Sequence, residues 1–329
     1  DPQTVSAPAI SSPPAMPAPA PSLAVVIPTY NRRAILERTL EALADQSQRD
    51  FRIVVVDDGS TDGTFAWLES RARTARQPQL SIVRQENRGQ GQARNLGVRQ
   101  VGEDLVLFLG DDVIPRREFI AEHLAAHVYL GADHARLAVV GFTDGRRSER
   151  KVAPALEMAN VEGHQFGFAH MQPEREVPFT CFYTSNISLP RELLGDEPFD
   201  PEFAAYGWED IELGYRLSSA GLKLVYHPAA AAEHLHPMTL ADLFARQQLV
   251  GRGIRTLWEL HPELASSPFL SPREPPRWFG AGRRLIPSLV PLLSALDGAG
   301  VPLGKRVLHR VLICGYYLGQ LEQLSETAA

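Results

Sequence analysis

The chain has 329 residues, of which 44% are hydrophobic and 22% charged, a composition that is ordinary for a globular protein. This length suits one large α/β domain with an appendage, or two domains. A formal net charge of −6 argues against a basic field that would recruit nucleic acid. The two cysteines, Cys181 and Cys314, form no CxxC pair, which predicts no disulfide framework and no thiolate zinc site and favours a reducing cytoplasm. No apolar run reaches the roughly 18–20 residues of a membrane span.

The first 21 residues consist mostly of Pro, Ala and Ser. They lack the basic start and the apolar centre of a signal peptide. Because they contain few large side chains, they cannot bury enough apolar surface to offset the entropy lost on ordering. We therefore expect residues 1–21 to form a disordered tail.

From Leu23 onward, short apolar runs alternate with segments whose apolar residues recur at helical spacing. The runs are LAVVIPTY, RIVVVDDGS, LSIVRQENRG and DLVLFLGDD, separated by NRRAILERTLEALADQ, TDGTFAWLESRAR and GQARNLGVRQVG. Asn31 is predicted to cap the first helix, and Asp62 or Thr61 lies near the start of the second. Strands that alternate with helices and are apolar on both faces are typical of a parallel sheet built from βαβ units.

Polar residues follow each predicted strand at its carboxyl end, the edge where open α/β sheets bind ligands. The run VLFLGDD ends in two adjacent carboxylates, Asp111 and Asp112, which alone would indicate an ordinary polar turn. Several acidic strand ends with arginines nearby favour a nucleotide and metal site instead. The first turn, PTYNRR, lacks the glycines of a dinucleotide-binding motif, no GxxxxGK[ST] phosphate loop occurs, and no D-x-D-x-T phosphatase motif follows the first strand.

Five segments together resemble family 2 glycosyltransferases of the GT-A type: VVIPTYNR, VVVDDGSTDGT, ENRGQGQARNLGV, FLGDD and YGWEDIELGYRL. The resemblance runs from about residue 22 to about residue 253. It implies an α/β fold with a Rossmann-like, mostly parallel sheet flanked by helices. It also implies a nucleotide-sugar donor, usually UDP-linked, a divalent cation (Mn²⁺ or Mg²⁺), and transfer to an acceptor hydroxyl with inversion.

The resemblance assigns the donor site to residues at the first four strand ends. Arg94 is expected to meet the diphosphate oxygens. Asp112 is expected to bind the cation, and Asp111 the ribose or a metal-bound water. The family pattern is D-x-D, whereas this chain has Gly110 at the first position. The residues expected to hold the base and its nucleoside are Pro28, Thr29, Tyr30, Asn31, Asp57 and Asp58.

The second half of the chain carries the residues expected to act on the acceptor. Asp210 matches the general base that takes the proton of the acceptor hydroxyl, and Glu209 would bind an acceptor hydroxyl or be the alternative base. Without the resemblance, these two carboxylates read as the acidic first turn of a capped helix. His234, or His236 close behind it, is expected to complete the metal site.

Two further side chains are placed near the sugar. Asn186 is expected at the boundary between the donor sugar and the acceptor. Trp208 is expected either to stack on a sugar ring or to belong to the core.

The predicted organisation has four parts: the tail of residues 1–21, a nucleotide-sugar-binding half over 22–115, an acceptor-binding half over 116–240, and a helical C-terminal extension over 241–329. The extension is expected either to pack on the core or a second subunit of a homodimer, or to touch a membrane surface through basic residues. The basic residues of the extension that could touch a membrane are Arg283, Arg284, Lys305, Arg306 and Arg310. We expect a protein of the cytoplasm or of the inner membrane face.

The partners expected are a nucleotide-sugar donor and a glycan, lipid-linked or small-molecule acceptor, and no nucleic acid. A non-catalytic protein that binds a nucleotide sugar and retains the fold is the alternative, although the intact WED segment argues against it. A nucleotidyltransferase is disfavoured because PTYNRRA is not a glycine-rich loop bearing the basic residues of that class.

Overall fold

The computed structural model of the chain describes residues 20–74, 78–131, 136–144, 166–203, 207–235, 238–267 and 270–327. The predicted tail therefore lies almost entirely outside the described residues, and so does His236. In the described ranges, no helix is both long and apolar enough to cross a membrane.

The secondary structure begins with the alternating strands and helices that the apolar runs predict. The first half comprises β1 (Leu23–Thr29), α1 (Arg33–Ala44), β2 (Arg52–Asp57), α2 (Thr64–Thr74), β3 (Gln79–Arg84), α3 (Gln90–Val98), β4 (Leu105–Leu109), β5 (Val113–Pro115), α4 (Phe119–Gly131) and β6 (Leu137–Asp144). The second half comprises β7 (Arg175–Glu176), β8 (Asn186–Pro190), α5 (Glu209–Ser219), β9 (Lys223–His234), α6 (Leu240–Leu260), α7 (Phe279–Gly298) and α8 (Lys305–Thr327).

The described strands form one mixed sheet in the order β3-β2-β1-β4-β8-β6-β9-β5, with β7 paired to β9. The pairs β1–β2, β2–β3 and β1–β4 are parallel, as is β6–β9. Strand β8 is antiparallel to both β4 and β6, and β5 is antiparallel to β9. The parallel half carries the predicted donor residues, and the antiparallel pairs join it to the second half of the chain.

Alternate residues of the central strands enter two separate cores because successive side chains of a strand point to opposite faces. Val25 and Ile27 of β1 pack with Leu36 and Leu40 of α1 on one face. Val26 packs on the other face, in the core that α3 and α5 cover. Strand β3 departs from the prediction of two buried faces, because it lies at the sheet edge and its side chains are partly or fully exposed.

The starts of the first two helices differ in how they are capped. Asn31 does not cap α1: it has a positive φ of 52°, and its Oδ1 accepts a hydrogen bond from the Thr61 amide at 2.7 Å. Asn31 therefore links the loop after β1 to the loop after β2, whereas the sequence predicted that it would cap α1. Asp62 lies two residues before the first residue of α2, and its Oδ1 accepts from the Thr64 amide at 3.0 Å.

Helices α6 and α8 pack together through glycines. A Cβ added at Gly251 of α6 would lie 1.9 Å from the Tyr316 carbonyl oxygen, and one at Gly319 of α8 would lie 1.9 Å from the Gln248 carbonyl oxygen. The two helix backbones therefore approach so closely that any side chain at these positions would clash.

Gly319→Ala is expected to lower the free energy of unfolding by about 1–3 kcal/mol, because α6 and α8 have to separate to admit the methyl group. Thermal unfolding of the full chain measures this. Gly280→Ala on α7 is the matched control, since a Cβ there meets no atom within 4 Å. Equal melting temperatures for Gly319→Ala and the parent would show that the α6–α8 contact is looser than described.

Candidate active site

A cavity of about 470 Å³ opens at the carboxyl ends of β1 and β4. Its walls come from the first turns of α3 and α5, the end of β9 and one face of α6. The volume of the cavity and its position at the strand ends are typical of ligand sites in α/β proteins. Eight predicted site residues line it: Pro28, Arg94, Asp111, Asp112, Trp208, Glu209, Asp210 and His234. The side chains of Thr29, Tyr30, Asn31, Asp57, Asp58 and Asn186 lie outside its walls.

Two carboxylates after β4 form the acidic end of the cavity. Asp111 accepts hydrogen bonds from Thr29 Oγ1 at 2.8 Å and from Arg32 at 2.7 Å. The same guanidinium lies 3.1 Å from Asp112 Oδ2, so Arg32 bridges both side chains. Burial and the neighbouring charge of Asp112 raise the pKa of Asp111 to about 6, although Arg32 opposes the rise. This crowding of negative charge favours a cation.

Arg32 was missed in the sequence because the residue that follows PTYN gives no sign of its partners. It faces Asp111 only because the parallel β1–β4 pair brings the two strand ends together. The signal that could have identified it is the basic pair Arg32-Arg33, directly after the first strand end.

His234 reaches the acidic end through a strand pairing. In the antiparallel pair of β5 and β9, Val113 lies opposite His234, which brings the imidazole next to the residue before Val113. Its Nε2 lies 3.5 Å from Asp112 Oδ1, and the ring of Phe166 packs edge-on against it at 5.8 Å. The structure thus brings Asp112 and His234 together, as the predicted metal site requires.

The two carboxylates at the carboxyl end of β2 contact the segments that follow β2 and β3. Asp58 accepts from Gln85 Nε2 at 2.7 Å and from the amides of Arg88 and Gly89, both at 2.9 Å. Arg84 Nε lies 3.1 Å from Asp57 Oδ2. Both oxygens of Asp58 and Oδ1 of Asp57 accept from the protein, whereas Asp57 Oδ2 has no hydrogen-bond partner among the described residues. The contact of Asp57 and Asp58 with a base stays a prediction.

Arg94 lies in the cavity wall and is 4% exposed. Its guanidinium donates to Glu209 at 3.2 Å and to Gln90 at 3.1 Å, and it stacks over the Phe199 ring with its carbon 5.5 Å from the centroid. Its Nε has no hydrogen-bond partner among the described residues. A buried donor without a hydrogen-bond partner costs free energy.

Asp210 occupies the first turn of α5 and is partly accessible from the cavity. Its Oδ1 accepts from the Ile211 amide at 2.8 Å. Burial and the negative charge of Glu209 raise the pKa of Asp210 to about 7, and the charge of Arg94 opposes this rise. A carboxylate with a pKa near 7 is suited to exchange a proton with a bound ligand at neutral pH.

Glu209 is held by the protein on both of its oxygens. Oε1 accepts from Arg94, and Oε2 accepts from the Gly207 amide at 3.0 Å. The side chain is 4% exposed, less than that of its neighbour. Of the two adjacent carboxylates, Asp210 is thus the more exposed.

The remaining two predicted residues have different outcomes. Trp208 lines the cavity with a φ of 77°, and its Nε1 donates to the Val250 carbonyl at 2.8 Å, which ties α5 to α6. The expectation for Asn186 is wrong in position: the side chain is fully buried inside the sheet, where its amide group donates to the carbonyls of Phe142 and Ala230. Its Oδ1 lies 2.9 Å from His123 Nε2. Asn186 is buried because β8 pairs with β4 on one side and β6 on the other.

Other cavity residues were not named individually from the sequence, although Arg246 and Val250 belong to the predicted helical extension. Tyr183, Arg246 and Val250 line the wall around Asp210. Arg246 and Val250 are four residues apart on α6, so they share one face of that helix. This spacing was the available signal, but it identifies a wall only when the position of α6 is known.

Carboxylates and arginines gathered at the carboxyl edge of a parallel half-sheet are typical of α/β proteins that bind their ligands at that edge. Residues 24–194 match the family model described as "Glycosyl transferase family 2". The chain therefore belongs to glycosyltransferase family 2. Its fold is of the GT-A type, with a helical C-terminal region.

Similar proteins extend beyond the family model. The chain is 35% identical over 226 residues to the validoxylamine A glucosyltransferase of Streptomyces hygroscopicus subsp. jinggangensis, covering 62% of this chain and 53% of that protein. It is 28% identical over 292 residues to the pre-mycofactocin glycosyltransferase of Mycobacterium tuberculosis, covering 86% of this chain and 57% of that protein. The chain thus spans about half the length of these curated relatives.

The fold is also similar to that of the mannosyltransferase PcManGT from Pyrobaculum calidifontis, solved in complex with GDP-Man and Mn²⁺. The TM-score is 0.62 at 22% identity, and the match covers 94% of this chain and 89% of that one. At this identity the likeness defines the fold alone.

Proposed function

We propose that this protein transfers a sugar from a nucleotide-sugar donor to an acceptor hydroxyl with inversion, with a UDP-sugar as the preferred donor. The observation that carries the proposal is the arrangement of one cavity. Arg94, the pair Asp111 and Asp112, and Asp210 all line it. The cavity thus offers a buried cation for phosphate, carboxylates for a metal, and a separate carboxylate for a proton.

The donor would bind with its diphosphate beside Arg94. The side chain lines the cavity, and its guanidinium charge favours the dianion. The base would lie over the ends of β1 and β2, beside Tyr30, which is 44% exposed. Solved PcManGT, which shares the fold, is described with GDP-Man bound, which supports a nucleotide sugar as the ligand class.

The residues at the acidic end fit a divalent cation such as Mn²⁺ or Mg²⁺. Asp112 and His234 would hold it, with Asp111 directed at the ribose, and the cation would share the carboxylates with Arg32. No three acidic, His or Cys side chains of the described ranges already form a complete metal shell, so diphosphate oxygens and water would supply the remaining ligands. When bound, the cation would offset the charge of the departing diphosphate.

Asp210 would deprotonate the acceptor hydroxyl. Its pKa of about 7 leaves a large fraction ionised at neutral pH while keeping it basic enough to take a proton. Arg94 and Glu209 would set this balance, because one lowers and the other raises the pKa of Asp210. The hydroxyl would belong to a glycan or small molecule, seated between Tyr183, Trp208 and the α6 wall.

Isothermal titration of UDP-glucose, UDP-N-acetylglucosamine and GDP-mannose into the full chain with Mn²⁺ tests the donor site. We expect one of them to bind, and Arg94→Gln to weaken that binding by at least about tenfold, since a charged hydrogen bond to phosphate is lost. Gln retains a donor for Glu209, which limits the structural damage.

The matched control is Arg99→Gln, at the carboxyl end of the same helix, where Arg99 pairs with exposed Glu197. It should bind the donor like the parent. Absence of binding by all three nucleotide sugars to the parent, or equal binding by Arg94→Gln, would refute the assignment of this cavity to the donor.

A further inference from the structure

Helix α7 carries a second apolar face that the fold leaves exposed. Phe279 and Val290 are buried against the other C-terminal helices. Leu285, Leu289 and Leu292 lie on a different side and are 61%, 38% and 59% exposed. Their spacing of four and three residues places them in one stripe along the helix. Three exposed leucines in one stripe exceed what a solvated helix face normally shows.

Exposed basic residues lie at the amino-terminal end of this stripe. Arg283 and Arg284 are exposed and directly precede Leu285. Arg310 of α8 lies over the ring of Trp278, with its guanidinium carbon 5.8 Å from the centroid, which places it beside the start of α7. The segment from Arg277 to Arg310 also contains Lys305 and Arg306.

This positive charge is local. The whole chain has a net charge of −6, yet the acidic residue in the segment 277–310 is Asp297 alone, which is 1% exposed. The surface of α7 and the first turn of α8 therefore offers cations and leucines without an exposed carboxylate from this segment.

The charge distinguishes two occupants of the leucine stripe. A second copy of the chain docked by the same face would bring two sets of arginines together, which is unfavourable. An anionic bilayer accepts the leucines into its acyl boundary while its headgroups pair with the arginines. We propose that α7 docks this protein on an anionic phospholipid surface.

The docking surface is separate from the donor site but connected to it. Helix α6, which supplies Arg246 and Val250 to the cavity wall, also packs against α7. Docking through α7 would thus hold the acceptor side of the cavity at a short distance from the lipid surface. This inference does not require that the protein transfer sugar.

Co-sedimentation of the full chain with vesicles of phosphatidylcholine and phosphatidylglycerol in about equal parts tests the proposal. We expect binding at low salt and no binding to pure phosphatidylcholine. High salt should lower the affinity for the mixed vesicles by at least about tenfold, because the charges are screened. The double variant Leu285→Glu with Leu292→Glu should abolish binding. The double variant Arg283→Gln with Arg284→Gln should weaken it by about 25-fold, at about fivefold for each charge.

Val128→Glu is the matched control, because Val128 is 54% exposed on α4, a helix that packs on β6 and β9. It should bind vesicles like the parent, and melting temperatures verify that every variant is folded. Three results would overturn the proposal: no binding of the parent to mixed vesicles, equal binding to pure phosphatidylcholine, or undiminished binding by both double variants. A dimer in sedimentation velocity that the leucine variant converts to monomer would assign the stripe to a second copy instead.

Discussion

Asp210→Asn is expected to lower the turnover of sugar transfer by about 10²–10⁴-fold. Asn keeps the size of the side chain and can still accept from the Ile211 amide, but it cannot take a proton from the acceptor. Donor affinity should stay nearly unchanged, because the proposed diphosphate site lies at Arg94 and at the ends of β1 and β4. Transfer kinetics and titration of UDP, measured on the same preparation, separate the two effects.

Glu209→Gln is the informative comparison, because it changes the adjacent carboxylate. Protonated Asp210 cannot act as a base, so the parent should lose kcat/KM as the pH falls below about 7. Glu209→Gln removes a negative charge that raises the pKa of Asp210. In this variant the fall of kcat/KM at acidic pH should therefore begin about one pH unit lower than in the parent. If Glu209→Gln is inactive while Asp210→Asn retains turnover, the two roles are exchanged. If both remain fully active, the acidic turn only caps α5.

Asp112→Asn is expected to remove the dependence of UDP binding on Mn²⁺, weakening binding in the presence of the cation by about 100-fold. The side chain lies at the end of a strand, and its loss should leave the fold intact, since the amide can still accept from Arg32. Titration of UDP into the protein, once with Mn²⁺ and once with a chelator, measures directly how much the cation contributes to UDP affinity.

Asp50→Asn provides the control for Asp112→Asn, because Asp50 is exposed in the loop before β2. It should retain the full effect of Mn²⁺. An Asp112→Asn protein in which Mn²⁺ strengthens UDP binding as much as in the parent would refute the metal assignment while leaving the Arg94 site standing.

Much of the donor half could be predicted because its signals are local. Four apolar runs gave the four strands of the parallel half-sheet, and the residues after each run had to meet at one edge. Arg94 and Asp111 therefore both line the cavity, as expected from their positions after β3 and β4.

The features that the sequence did not predict depend on pairings between distant segments. Asn186 is polar and is the first residue of β8, so its burial became evident only when the structure placed β8 between β4 and β6. Arg32 meets Asp111 across 79 residues of chain. The approach of His234 to Asp112 required the antiparallel β5–β9 pair, which is only three residues long on the β5 side. No local periodicity encodes such contacts.

The stereochemistry of donor hydrolysis tests the central claim most directly, because it requires no knowledge of the acceptor. A single base that activates an acceptor, or water in its place, for direct displacement inverts the anomeric centre. Proton NMR of the sugar first released from an α-linked donor such as UDP-glucose, recorded before the anomers equilibrate, should show the β anomer. The rate of its release should fall in Asp210→Asn. Initial release of the α anomer would contradict direct displacement assisted by Asp210.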